Sequence, residues 1–116
     1  MKRMVFALGT CLCLTYAAAA SAYFFEANKL VSDMREFEKA ERNDPQTKYD
    51  ASAGYVGFVV GVHDVISRSL CPSSNVTVRQ ATTVVAKYLN EHPEQWNRPA
   101  HELVTKALRA AFPCRR

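Results

Sequence analysis

Two cysteines, Cys71 and Cys114, bracket the C-terminal stretch of this chain, and a bond between them would dictate how everything between them folds. That interval holds two apolar-striped segments. Ala81, Val84, Val85, Tyr88 and Leu89 recur at helical spacing, as do Ala100, Leu103, Val104, Ala107, Leu108, Ala111 and Phe112. Two antiparallel helices on a short connection bring their outer ends together, so Cys71 and Cys114 can pair across the open end of a helical hairpin. In the chain-entropy model, closing a loop this long stabilises the fold by roughly 4 kcal/mol.

The other two cysteines, Cys11 and Cys13, lie in a segment that reads as a leader. Lys2 and Arg3 form a positive start, Met4 to Ala20 is apolar or small, and Ala20-Ser21-Ala22 offers a small-x-small cleavage signal. The expectation is a signal peptide over residues 1–22, cut after Ala22, and one domain over residues 23–116. A lipidated Cys11 or Cys13 and an uncleaved anchor are the competing readings. Export to an oxidising compartment leaves Cys71 and Cys114 as the pair that can bridge.

The formal charge is +4, falling to +2 once Lys2 and Arg3 are removed. Residues 23–50 carry seven acids and five bases, residues 51–116 four acids and eight bases. This mild dipole, without bases interleaved with exposed aromatics, argues against nucleic acid as a partner. With the leader gone, no membrane association is expected.

Along the chain, Phe24 to about Arg42 reads as an amphipathic helix, with Phe24, Ala27, Leu30, Val31, Met34 and Phe37 inward. Asn43-Asp44-Pro45 ends it, and Asp44 can cap a second helix with Pro45 in its first turn. That helix should run from about Pro45 to Ser69. Gly54, Gly57 and Gly61 share one face of it, and each costs roughly 1 kcal/mol relative to Ala. Close approach of another helix backbone is the expected reason, with α-helix apolar all round implying a central, buried element. A strand over Val-rich Tyr55–Val62 is the alternative. Thr77-Val78-Arg79-Gln80 is a capping box that starts a third helix, ending near Asn90; Asn75-Val76-Thr77 also matches a glycosylation sequon. Pro93 breaks the pattern, and the fourth helix spans about Pro99 to Phe112, stopped by Pro113. The fold class expected is all-α: a small four-helix domain with one disulfide.

No catalytic motif survives inspection. His63, His92 and His101 lack metal-ligand spacing, there is no G-x-S-x-G, H-E-x-x-H or phosphate loop, and no cofactor is implied. His63-Asp64 resembles half of a dyad, but neighbours on a helix project about 100° apart, so a polar edge bonded to another helix is the expectation. A binding surface remains. Trp96, the single tryptophan, sits in the inter-helix connection with His92, Glu94, Gln95, Asn97 and Arg98. It is either an interface anchor with a polar rim or a lid folded back on the hairpin core.

The segments GYVGFVVGVHD, LCP, VTVRQATTVVAKYLNEHPEQW and AHELVTKALRAAFPC, spanning Gly54 to Cys114, closely resemble the Tai family of type VI secretion amidase-immunity proteins. The resemblance implies a small periplasmic all-α inhibitor, often a homodimer, that binds a peptidoglycan amidase effector and blocks its Cys–His site. It also implies the Cys71–Cys114 bridge. Relatives often carry a cysteine where this chain has Ala53, and the variable region 23–52 carries no resemblance. His92, Glu94, Gln95 and Trp96 are the candidate contact residues. A periplasmic acid-stress chaperone and a plain structural binding module are the other readings.

Overall fold

The structure, a computed structural model, describes residues 23–71 and 75–114. The expected leader, with Cys11 and Cys13, lies outside them. Four helices carry the fold: α1 (Ala27–Glu41), α2 (Tyr49–Ile66), α3 (Val78–Glu91) and α4 (Ala100–Ala111). Single 3-10 turns follow α2 (Ser67–Ser69) and precede α4 (Pro93–Gln95). Tyr55–Val62 is helical, so the strand alternative falls. The all-α expectation with one disulfide holds.

Local chemistry sets the boundaries. Helix α1 ends in a Schellman turn: Asn43 takes a left-handed φ of 56°, its N–H reaches Ala40 O, and Asp44 N–H reaches Lys39 O. Asp44 does not cap α2, as the sequence suggests. Its Oδ1 accepts from Gln46 N at 2.9 Å, closing a turn around Pro45. Lys48 is extended and its N–H donates to Glu36 Oε2 at 2.8 Å, so α2 starts at Tyr49, four residues later than expected. The capping box on α3 forms as read: Gln80 N donates to Thr77 Oγ1 at 3.1 Å and Thr77 N to Gln80 Oε1 at 2.8 Å.

The core joins Leu30, Val31 and Met34 of α1, Tyr55 and Val59 of α2, Val85 and Leu89 of α3, and Leu103, Val104 and Leu108 of α4. Leu70, just past α2, closes it from below. Phe24 departs from its expected inward place. It is fully exposed, because the chain before α1 is extended; Phe25 turns in instead, stacking on Phe58 with centroids 4.9 Å apart. This extended lead-in is stitched to the far end of the chain. Ala27 N donates to Arg98 O at 2.9 Å, Asn28 N to Trp96 O at 2.8 Å, and Ala100 N to Phe25 O at 3.0 Å.

Cys71 and Cys114 are bonded, with Cα atoms 4.8 Å apart. Cys71 N also donates to Phe112 O at 3.1 Å, so the latch ties the exit of α2 to the exit of α4.

The glycines of α2 require a correction. A Cβ at Gly54 would lie 3.8 Å from Asp33 Oδ2 of α1, but a Cβ at Gly57 or Gly61 would meet nothing within 4 Å. Among the described residues no neighbouring helix presses on these two. Helix α2 is not buried all round: it packs most extensively on α1, and the side carrying the glycines faces out. Gly57→Ala and Gly61→Ala should therefore each raise the folding stability of the isolated chain by up to about 1 kcal/mol, from helix propensity alone. Denaturant midpoints of the two variants check this.

Candidate partner-binding surfaces

Two surfaces stand out, the connection between α3 and α4 and the outer face of α2. The connection is a rigid knuckle. Pro93 starts a 3-10 turn in which Gln95 N reaches His92 O at 3.0 Å and Trp96 N reaches Pro93 O at 3.3 Å. Glu94 Oε1 accepts from His92 Nδ1 at 2.9 Å, and the His92 ring leans on Tyr88, centroids 4.3 Å apart. Gln95 Oε1 accepts from the Tyr88 hydroxyl at 3.4 Å. His92 and Gln95 are half-buried, while Pro93, Glu94, Asn97 and Arg98 are exposed.

Trp96 decides between its two expected roles by where its atoms go. The indole N–H donates to Leu89 O at 2.8 Å, satisfying a carbonyl freed at the end of α3. The ring packs against the core, with the Arg35 guanidinium 5.5 Å from its centroid. It is a lid on the hairpin and fixes the knuckle's shape. The knuckle therefore presents His92, Glu94 and their exposed neighbours in one prearranged conformation.

The His92 ring beside Glu94 holds that carboxyl below its ordinary 4.5, helped by a backbone N–H. Glu36 is lowered likewise, first by the Lys39 ammonium and then by Lys48 N–H. Both folded carboxyls take up a proton less readily than in the unfolded chain. Their contribution is thus present above about 4.5 and fades as the pH falls through their lowered values. Chemical-denaturation midpoints should be level between about pH 5.5 and 7 and fall below about pH 4, with the start of α2 and the knuckle loosening. The effect is modest, since surface ion pairs are well screened.

The second surface is a groove: Gly57, Phe58, Gly61, Val62, Val65 and Ile66 of α2 and His101 and Thr105 of α4 line an open apolar hollow of about 510 Å³. Val65 is 85 % exposed. In the sequence only the glycine spacing points to it, and that spacing suggests packing within the chain, which the open space above Gly57 and Gly61 rules out among the described residues.

His63 and Asp64 also differ from expectation. Instead of reaching a neighbouring helix, they meet each other, His63 Nδ1 lying 3.2 Å from Asp64 Oδ1. The two side chains bend toward a shared edge of α2 despite their angular offset. His63 Nε2 is buried without a hydrogen-bond partner beside Val76, Val78 and Ala81, in a cavity of about 130 Å³. Among the described residues the one hydroxyl lining that cavity, Thr77 Oγ1, is occupied by the capping box, so none of them offers the histidine an activated nucleophile. Among the described residues no group of three or more His, Cys, Asp and Glu is placed to hold a metal. Among them, too, no helix is long and apolar enough to cross a membrane.

With four helices, a latched hairpin and two surfaces free for contact, the comparison with protein families is decisive. The model describing Rap1a immunity proteins matches residues 26–114. The chain belongs to the Rap1a immunity protein family. The matched span begins where the lead-in to α1 meets Pro99 and ends at the second cysteine of the latch. It therefore takes in α1, which the sequence resemblance from Gly54 onward left out. Comparison with curated proteins finds no significant match. Rap1a immunity proteins belong to type VI secretion, and such proteins act by binding an effector protein. The immunity character read from the sequence holds at this level.

Proposed function

We propose that this protein is a periplasmic immunity protein that binds a peptidoglycan amidase delivered by type VI secretion and occludes its Cys–His active site. The single observation that carries the reading is the family match over residues 26–114. The amidase as target rests on the resemblance of Gly54–Cys114 to amidase-immunity proteins. Steric occlusion suits this chain, because inhibition then needs only a rigid projection and no chemistry. The knuckle supplies one: His92, Glu94 and Gln95 project from it, and Trp96 holds them in place from behind. Preorganisation of this kind raises affinity by reducing the ordering needed on binding. A homodimer is part of the proposal.

The test is inhibition of a type VI secretion peptidoglycan amidase by the chain purified from the periplasmic fraction. Saturating inhibition at near-equal stoichiometry is expected. Glu94→Arg should weaken it at least about tenfold, corresponding to about 1.4 kcal/mol, with only the small drop in melting temperature that loss of the exposed His92–Glu94 contact brings. Absence of a complex at micromolar concentration, together with no protection of cells exporting the amidase, would sink the amidase reading. Inhibition that ignores Glu94→Arg would keep the function and remove the knuckle from the contact.

A further inference from the structure

Trp96 is held firmly enough for its outer face to serve as a seat. Its indole N–H donates to Leu89 O at 2.8 Å, its backbone N–H to Pro93 O at 3.3 Å, and its carbonyl accepts from Asn28 N at 2.8 Å. The exposed Arg35 of α1 lies over that ring, its guanidinium 5.5 Å from the centroid. Stacking on an aromatic plane restrains a guanidinium and leaves its fork of N–H donors free at the edge. Among the described residues Arg35 makes no ion pair. Glu38, the one acid within a turn on its side of α1, is taken instead by Asn90 Nδ2 of α3 at 2.8 Å. Glu36, next in sequence, is taken by Lys39 at 2.7 Å. The other described cations without an ion pair, Arg42, Lys48, Arg68, Lys106 and Arg109, lie over no aromatic ring. Arg35 is thus the one cation here that is both preorganised and unspent.

Its position adds to this. Asn28, Ser32 and Arg35 recur at spacings of four and three, so they share one stripe of α1, and all three are exposed. Asn28 bonds the knuckle through its backbone and Arg35 leans on the knuckle's tryptophan, so the stripe runs along the knuckle's flank. We propose that Arg35, seated on Trp96, is a carboxylate-binding anchor, and that the carboxylate it takes is an aspartate or glutamate side chain of the effector. The inference rests on the knuckle as the effector contact and extends that contact onto α1. Arginine and tryptophan are the residue types that most often dominate binding energy, and a guanidinium already ordered loses little freedom on binding. With Glu94 projecting from the same knuckle, the surface carries both signs, which fixes the register in which a complementary partner can dock.

Titration of the disulfide-bonded protein with a type VI secretion peptidoglycan amidase, at two salt concentrations, tests this. Arg35→Ala should weaken the complex at least about tenfold and Arg35→Glu at least about a hundredfold. Arg35→Ala should also flatten the salt dependence. Arg35→Lys keeps the charge but not the planar fork, and should recover only part of the loss. Each surface acid of the amidase is then neutralised in turn, Asp to Asn or Glu to Gln. One of these changes should cost about as much as Arg35→Ala against the parent chain and almost nothing against Arg35→Ala. A role confined to holding Trp96 in place gives no such coupling. Arg35→Ala and Arg35→Glu chains that bind as the parent does overturn the proposal and leave the proposed function standing, as does a set of acids none of which couples to Arg35. Absence of a complex with the parent chain overturns both.

Discussion

Replacing Cys71 and Cys114 together with serine should lower the thermal midpoint by about 15 °C or more. The bridge spans 43 positions, for which the chain-entropy model gives about 4 kcal/mol. A domain of this size moves by roughly 4–8 °C per kcal/mol. Both cysteines lie at the exposed rim, and little core is lost with them, so most of the effect acts on the unfolded chain. What remains locally is the Cys71 N to Phe112 O hydrogen bond, too little to hold the exits of α2 and α4 together. Hydrogen exchange should show the last turn of α4 opening first. Reduction of the parent protein with dithiothreitol should reproduce the shift of the double serine variant. A change of only a few degrees in both would show that packing, not the latch, holds the hairpin closed.

Tyr55→Ala should cost about 3–5 kcal/mol, the range for removing a buried aromatic side chain. Tyr55 is the largest fully buried side chain of the fold and stands where α1, α2 and α3 meet. Its ring lies against Phe37, centroids 5.1 Å apart, and its hydroxyl donates to Thr82 O of α3 at 2.7 Å. Tyr55→Phe separates the two contributions: it keeps the ring and deletes the hydrogen bond, at about 1–2 kcal/mol. Urea midpoints of the three proteins measure both steps. Burial also pushes the Tyr55 hydroxyl well above its ordinary 10. The folded chain therefore keeps a proton that the unfolded chain releases, and stability should decline as the pH rises past about 10.

The four helices and the latch were legible because each rests on local or pairwise signals. The Thr77–Gln80 capping box, the 3–4 spacing of α4 and the two cysteines each name their own structure. The failures share a cause: they depend on what a segment meets elsewhere. Phe24 and Phe25 both suit an amphipathic helix, and only the strap to residues 96–100 decides which one turns in. Pro45 suits the first turn of a helix, yet Lys48 N–H finds a better acceptor in Glu36 and delays α2. The Gly57 and Gly61 spacing suits close approach of a helix, yet nothing lies within 4 Å of a Cβ at either position, because spacing alone does not say what a face meets. Trp96 is similar. A lone tryptophan in a connection suits an interface or a lid, and only the carbonyl of Leu89, seven residues back, selects the lid.

The strap that joins residues 25–28 to residues 96–100 bears on when this protein can fold. The first part of the domain to be made cannot be fixed until nearly the whole chain is available, because its backbone partners precede only α4 and the latch. An N-terminal fragment holding α1 and α2 alone lacks both those partners and the α3–α4 side of the core. A nascent chain would thus stay open until synthesis is almost complete, with its closure set by contacts distant in sequence rather than by its first helices.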